Sequence, residues 1–217
     1  LTQAYNQPGY PMPIHLPGRF SMEIGPFAEY LARHAAQVKT QHSFQFMADI
    51  PQFHPPGKGA SGYHYVGPLL DRPAEPAQVD ILDSGWDLSL PLVYLSCGSS
   101  GRAPTYMEEL LSAFSREPYR LLVTTAGRWR GEVHAPNIRV VDFIPGEWVL
   151  RRAQVLVGII GIGALYQALA CGVPVIGAPE HLDQEYHLRR LAALGLGLRL
   201  DRREFTAPAI SNAVAQV

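Results

Sequence analysis

The sequence predicts an α/β chain: a doubly wound parallel sheet preceded by a proline-rich, loop-dominated stretch. Three observations carry this expectation. Residues 1–91 hold 12 of the 19 prolines, and proline removes an amide donor and restricts the residue before it, so few segments there can run as long helices. From Leu92 onward, short and nearly all-apolar runs alternate with helical spacing, the pattern of strands covered on both faces. The third observation is the run from Ala153 to Pro179, 27 residues without Asp, Glu, Lys, Arg or His. That length would cross a bilayer, but Gly158, Gly161, Gly163, Gly172, Gly177 and Pro174 interrupt it. Its apolar period changes at the glycines, from a β-branched strand to helical spacing at Ala164, Leu165, Ala168 and Leu169, and Gly172 stops the helix. No pair of basic and aromatic anchors stands at both ends of it, since Glu180 follows Pro179. It reads as strand, turn, helix and strand.

Taken in order, "PFAEYLARHAAQVK" places Phe27, Leu31, Ala35 and Val38 on one helical face after a proline start. Short strands are expected at 42–48 and 63–70, separated by the flexible "PPGKGASG", and "DRPAEPAQ" reads as a linker. "LVYLSC" (92–97) is a fully apolar strand, "GSSGRAP" a turn, and Met107, Leu110, Leu111 and Phe114 the buried stripe of a helix. Further strands are expected at 119–125, 137–144, 155–160, 173–178 and 196–200. "GEWVLRRA" and "DQEYHLRRLAALG" are the helices between them. There is no internal repeat.

Composition excludes several function classes. With 18 basic and 19 acidic side chains in 217 residues the formal charge is −1, which leaves no electrostatic footprint for nucleic acid or an anionic membrane surface. A hydrophobic content of 47% is enough for a sizeable core. Cys97 and Cys171 lie in apolar contexts without metal-ligand spacing or a disulfide framework. They are expected to be reduced and buried, which points to the cytoplasm. No secretory signal opens the chain, and its first residue is not Met, as in an excised piece.

In an open parallel sheet, ligands sit beyond the carboxyl ends of the strands, where helix N-termini offer N–H groups to phosphate. Two turns are candidates. "SCGSSG" puts Gly98, Ser99, Ser100 and Gly101 directly after a strand; it is either a phosphate-binding turn or a plain tight one. "GIIGIGA" (158–164) is a weak dinucleotide fingerprint, because Tyr166 occupies the third glycine position. "EHLDQEYH" spaces Asp183 and His187 as a conceivable metal pair, although a solvated helix start explains the same residues. Arg128, Trp129 and Arg130 in "GRWRGE" read as ordinary exposed loop rather than as a stacking surface for nucleic acid.

Phe143-Ile144-Pro145, the short helix with "RRA", the glycine-containing turn and "YQALACGVPVIGAPEHLDQEYHLRRLAALGLGLRL" together resemble the donor-binding half of GT-B glycosyltransferases. The likeness is to the inverting family that includes macrolide, antibiotic-aglycone and UDP-glucuronosyl/glucosyl transferases. "YHYVGPLL" is similar to the segment leaving that family's acceptor domain, and "VYLSCGSSG" to the first strand and turn of its donor domain. The resemblance spans about 44 to 215 and implies a Rossmann-like sheet, the C-terminal domain of a GT-B fold. It implies a remnant of the acceptor-binding domain at 1–75, a linker at 76–91 and a nucleotide-sugar donor domain at 92–217, incomplete at its C-terminus.

The implied activity is inverting hexosyl transfer from a UDP- or dTDP-sugar to a hydroxyl of a small lipophilic acceptor. The nucleotide sugar is a co-substrate, and neither metal nor other cofactor is expected. The missing first domain would come from the same polypeptide or a partner subunit; no nucleic-acid partner and no transmembrane segment are implied. Carried over residue by residue, Phe143 and Ile144 lie against the base, and Ser99, Ser100 and Gly101 face the diphosphate. Gln167 stands where many members use an acid for the ribose hydroxyls. Asp183 and Gln184 contact sugar hydroxyls, the alternative being a helix cap.

The chain departs from the family at the second turn. Where relatives carry His-Gly-Gly-Ser-Gly-Thr or a close variant, this sequence has Ile159, Ile160, Gly161, Ile162, Gly163 and Ala164. Two lost donors to a charged group cost roughly 3–6 kcal/mol, and a β-branched Ile160 is expected to resist a left-handed conformation. A non-catalytic descendant, binding a less charged ligand or a partner, is the alternative reading. No catalytic residue is assigned: inverting transfer needs a base, and none of His15, His34, His42, His54 and His64 follows a first strand as the family's histidine does.

Overall fold

The computed structural model describes residues 45–56, 63–70, 80–98 and 107–217. The chain separates into two compact units, Leu1–Leu69 and Leu70–Val217. The helix expected around Phe27–Val38 lies outside the described residues.

In the first unit, β1 (Gln45–Met47) and β2 (Tyr63–Tyr65) pair in parallel with Phe46 opposite His64. The chain turns after β1 because the amides of Phe53 and His54 both donate to Ile50 O at 3.0 Å. Asp49 accepts the Ile50 N–H at 2.7 Å and pairs with His54.

The second unit holds six parallel strands: β3 (Leu92–Ser96), β4 (Arg120–Thr124), β5 (Ile138–Val141), β6 (Ala153–Gly158), β7 (Val175–Gly177) and β8 (Gly197–Arg199), in the order β5-β4-β3-β6-β7-β8. Five of them lie within the apolar runs of the sequence, with ends trimmed where pairing stops, while β6 is shifted two residues towards the N-terminus of the expected 155–160, because Ala153 already pairs with Leu92. Residues alternate between the two faces. Val93, Leu95, Leu121, Val123, Val155, Val157 and Ile176 point to one side, where they pack with α2 (Met107–Phe114) and α6 (Ala207–Val214). The stripe of Met107, Leu110, Leu111 and Phe114 is the buried face of α2, as its spacing requires.

The alternate residues Leu122, Leu156 and Val175 serve the other side, which carries α3 (Gly146–Leu150), α4 (Ile162–Ala170) and α5 (Leu182–Ala193). Gly177 leaves room there for Leu188 of α5, whose Cδ2 would lie 2.4 Å from a Cβ. This is a doubly wound sheet buried on both faces, and it explains the absence of alternating polar residues in its strands.

Part of the stretch expected as linker is built onto the sheet. A short helix, α1 (Asp80–Asp83), is followed by Trp86, whose Nε1 donates to Ile81 O at 3.1 Å. The Trp86 ring lies 4.5 Å from the Arg139 guanidinium and 5.7 Å from that of Arg120. Arg120 Nε also reaches Leu90 O at 2.8 Å. Cation–π contacts and charged donors thus fasten residues 81–90 to β4 and β5. Asn137 closes the far end of α2, its Nδ2 donating to Phe114 O and Tyr119 O at 2.9 Å.

Leu156 sits fully buried at the centre of the sheet, with 0% of its surface exposed, whereas Leu88 is 57% exposed. Leu156→Ala is expected to cost about 3 kcal/mol, while Leu88→Ala stays within about 0.5 kcal/mol. Urea unfolding midpoints of the two variants check the difference.

Candidate functional site

Strand order locates the site. From β3 the chain proceeds outward to β4 and β5, then returns to the other side of β3 to form β6. The helix after β3 covers one face and the helix after β6 the other, so the turns leaving these neighbouring strands diverge. Such a switch point opens a crevice beyond the carboxyl ends of the strands.

The two strand ends approach closely. Ser96 and Gly158 are register partners, Gly158 has φ +146°, and a Cβ on it would lie 2.0 Å from Ser96 O. Only glycine fits. Two residues further along, Gly98 turns left-handed at φ +69°, and a Cβ there would meet Ile159 O at 3.2 Å. The first turn therefore starts against the backbone of the second.

In that second turn the isoleucines divide. Ile159 is 7% and Ile160 1% exposed, Ile159 within the main apolar cluster. Ile160 has no left-handed backbone, as expected of a β-branched residue; among the described non-glycine residues positive φ occurs at Ala126. Ile162, Gly163 and Ala164 form the first turn of α4, half-buried or exposed. Gly161 precedes α4 in extended conformation with no side-chain cap, and the helical ladder begins with Leu165 N–H to Gly161 O at 3.0 Å. The amides of residues 162–164 thus have no intrahelical acceptor and face the mouth of the crevice with the positive end of the helix dipole.

Other expected site residues gather at the same end of the sheet. Phe143 is 80% exposed just past β5, while Ile144 beside it is buried. The Ile144 side chain therefore belongs to the core, and only its main chain can reach a ligand. Gln167 projects from α4 towards the start of α3: a Cβ on Gly146 would lie 2.9 Å from Gln167 Oε1, so Gly146 makes the space this amide occupies. Asp183 lies in the first turn of α5. Gln184 is buried, and its Oε1 accepts the amides of Glu180 at 2.7 Å and His181 at 3.3 Å, a cap for the loop entering α5. His187 is buried edge-on to Tyr186, with ring centroids 5.5 Å apart. Ser99, Ser100 and Gly101 lie outside the described residues.

Sequence reasoning missed Arg128. It is half-buried rather than loop-exposed, and its guanidinium donates to Cys97 O at 2.8 Å, to Gly98 O, and through Nε to Thr125 O at 3.1 Å. Nothing in "GRWRGE" signals this, because two of the partners are carbonyls of the segment after β3, 30 and 31 residues earlier. Beneath the crevice lie two groups kept neutral by burial. The Cys97 thiol is pushed up to about 11, against the pull of the Arg128 charge. Burial also raises Tyr94, opposed by hydrogen bonds that include the 3.2 Å contact of its hydroxyl with Thr124 Oγ1. A separate open groove of about 620 Å³ runs along the outer edge of β5, lined in part by Ile81, Trp129, Val133 and Arg139. No helix among the described residues is long and apolar enough to cross a membrane.

Comparison with known proteins agrees with this fold. Residues 115–217 match the family described as Erythromycin biosynthesis protein CIII-like, C-terminal domain. A "PGL/p-HBAD biosynthesis glycosyltransferase" of Mycobacterium tuberculosis is 31% identical over 185 residues, covering 83% of this chain and 42% of that protein. A "PGL/p-HBAD biosynthesis rhamnosyltransferase" of Mycobacterium bovis is 31% identical over 183 residues, covering 83% of this chain and 40% of its own length. The chain thus spans less than half of these relatives. Among solved structures, Os79 from O. sativa in complex with UDP superposes with a TM-score of 0.70 at 17% identity, over 90% of this chain and 51% of that one. At that identity the match speaks for the fold.

Two outcomes follow from the site. Gly158→Ala forces a Cβ to within 2.0 Å of Ser96 O, and a loss of about 3 kcal/mol or more in chemical unfolding is expected. The raised Cys97 pKa means that the folded chain holds more protons than the unfolded chain between the ordinary thiol value of 9.0 and about 11. Stability therefore falls as pH rises through that window. Cys97→Ala is expected to flatten the fall of the urea midpoint there, leaving the share due to Tyr94.

Proposed function

The chain is a relative of the C-terminal half of GT-B glycosyltransferases, and on that premise we propose that its crevice binds a UDP- or dTDP-linked hexose for inverting transfer to a hydroxyl of a small lipophilic acceptor. The observation that carries the reading is the meeting of the β3 and β6 turns at the switch point, with the first-turn amides of α4 facing the opening. A diphosphate fits such a place because fixed N–H groups and a helix dipole meet its charge without side-chain rearrangement.

In this reading the exposed Phe143 ring stacks on the base and the Ile144 main chain hydrogen-bonds it. Ser99, Ser100 and Gly101 face the diphosphate from β3; Gly161, Gly163 and the amide of Ala164 face it from α4. Gln167 binds the ribose hydroxyls. Asp183 accepts from the sugar hydroxyls, and Gln184 addresses them through Nε2, since Oε1 holds the loop. No metal takes part. The base that removes the acceptor proton, and most of the acceptor site, belong to an N-terminal domain in the same polypeptide or a partner subunit, in a cytoplasmic setting. The rhamnosyltransferase among the relatives and the UDP complex among the folds are consistent with a hexose on a pyrimidine nucleotide.

A second reading, a binding module with a degenerate diphosphate site, is favoured by one observation: no side chain from Ile159 to Ala164 can donate a hydrogen bond. The structure narrows what must be restored. Ile159 and Ile160 are built into the core, so replacing them would damage packing, whereas Ile162 and Ala164 border the opening.

Calorimetric titration of UDP and dTDP into the chain and into Ile162→Ser/Ala164→Thr distinguishes the readings. We expect micromolar binding by the parent chain and about tenfold or more tighter binding by the variant. Binding by the variant alone would favour the degenerate module, and binding by neither would overturn the nucleotide-sugar reading.

A further inference from the structure

We propose that the outer edge of β5 docks an extended polypeptide segment of another protein, which adds to the sheet as a further strand. That segment turns apolar side chains towards Trp129 and Val133 and acidic ones towards Arg139. This surface takes no part in the nucleotide-sugar reading, because its residues lie along the sheet edge.

Main-chain chemistry comes first. β5 is the last strand on its side of the sheet, and among the described residues no strand pairs with its outer edge. Its ladder to β4 uses Asn137 O, which accepts Leu121 N–H at 2.8 Å, and Val141 O, which accepts Thr125 N–H at 3.0 Å. Successive residues of a strand direct their amide and carbonyl groups to opposite sides, so Arg139 also addresses β4 while the N–H and C=O of Val140 face outward. An outward donor and acceptor on an edge strand are the template that strand addition uses. The four residues of β5 make a floor about 13 Å long at about 3.3 Å per residue. Above it lies the open groove of about 620 Å³.

Two unlike walls rise beside this floor. Ile138 and Val140 turn their side chains to the face that carries α2 and α6, and Trp129 and Val133 pack against the same apolar cluster. The Trp129 ring is seated on Gly131, where a Cβ would lie 2.2 Å from its Cζ2. Alternation puts Arg139 on the opposite face. Its terminal nitrogens donate to Ile81 O and Ser84 O, and its guanidinium lies 4.5 Å from the Trp86 ring. Those partners hold the group but bring no negative charge. Burial lowers the Arg139 pKa and no carboxylate opposes it, whereas Arg130, which also lines the groove, is paired with Asp142 at 3.1 Å. The groove thus has a cation without a carboxylate on one side and apolar surface on the other. An added strand presents alternate side chains to the two faces, so a segment alternating apolar and acidic residues meets both walls at once. A second copy of this chain fits less well. Pairing β5 with itself about a two-fold axis brings the two Arg139 side chains onto one face of the joined sheet, where like charges repel.

The test titrates the full chain with a short peptide alternating valine and glutamate, blocked at both ends, and with its counterpart carrying lysine for glutamate. Amide hydrogen exchange is followed across residues 137–142. We expect the glutamate peptide to bind with a Kd of about 10–100 μM and the lysine peptide at least about tenfold more weakly. Exchange of the Val140 amide should slow about threefold or more at saturation, with the β3 amides unchanged. Arg139→Gln should weaken the glutamate peptide about tenfold and move the lysine peptide by less than about threefold. Because Arg139 also fastens residues 81–90, a second variant tests the edge without it. Val140→Pro removes the outward N–H, leaves the β4 ladder intact and should abolish binding with the urea midpoint nearly unchanged. Should that variant not fold, N-methylation of the peptide's ladder amides tests the same hydrogen bonds in the parent chain.

Binding of neither peptide, equal affinity for the two, or binding that survives both Val140→Pro and N-methylation would overturn the proposal. Dimerisation in sedimentation velocity that Val140→Pro abolishes would assign the edge to a second copy and overturn it as well.

Discussion

The structure depends on how closely β3 and β6 approach at their carboxyl ends. At Gly158 the backbone takes φ +146°, which aims the place a Cβ would occupy at Ser96 O of the neighbouring strand, 2.0 Å away, so this position admits only glycine. That contact fixes the relative height of the two turns that follow and sets Gly98 against Ile159. Any ligand at the switch point is therefore received by main-chain groups held at fixed spacing. The catalytic value of such groups lies in not having to reorganise.

The isoleucines of the second turn are better understood from this geometry than from their polarity. Residues 159 and 160 continue β6 into the core, where Ile159 joins the cluster that includes Val157, Ile176 and Phe205. Apolar side chains at these positions stabilise the sheet. The change in chemistry at the opening is confined to residues 162 and 164, which border it. A site that looks uniformly apolar in sequence thus presents mainly amides, two small residues and one isoleucine.

The helical and strand pattern was legible because each element carries its own period. Met107, Leu110, Leu111 and Phe114 announce a helix, and the unbroken apolar runs announce strands covered on both sides, without reference to any partner. Gly172 and Gly158 were legible as breaks. Their reasons differ, and only the folded chain separates them: Gly172 ends a helix with φ +70° in open space, while Gly158 has another strand's carbonyl where its side chain would be. For Asp183 and Gln184 the sequence offered sugar contact, with a helix cap as the alternative, and the hydrogen bonds from Glu180 and His181 show a cap in place, made by Gln184.

What the sequence determined by itself is the order and type of the elements, the glycine turns and the kinship of the chain, since each of these is written in contiguous residues. Tertiary structure alone decided which side chains of those turns are buried and which are exposed. Ile144, Ile159 and Ile160 went to the core and Phe143 to solvent. Arg128 acquired partners at Cys97 and Gly98, just after β3 and some 30 residues earlier in the chain. Burial and long-range hydrogen bonds are properties of what lies opposite a residue once strands are ordered, and a linear pattern carries no record of that neighbour.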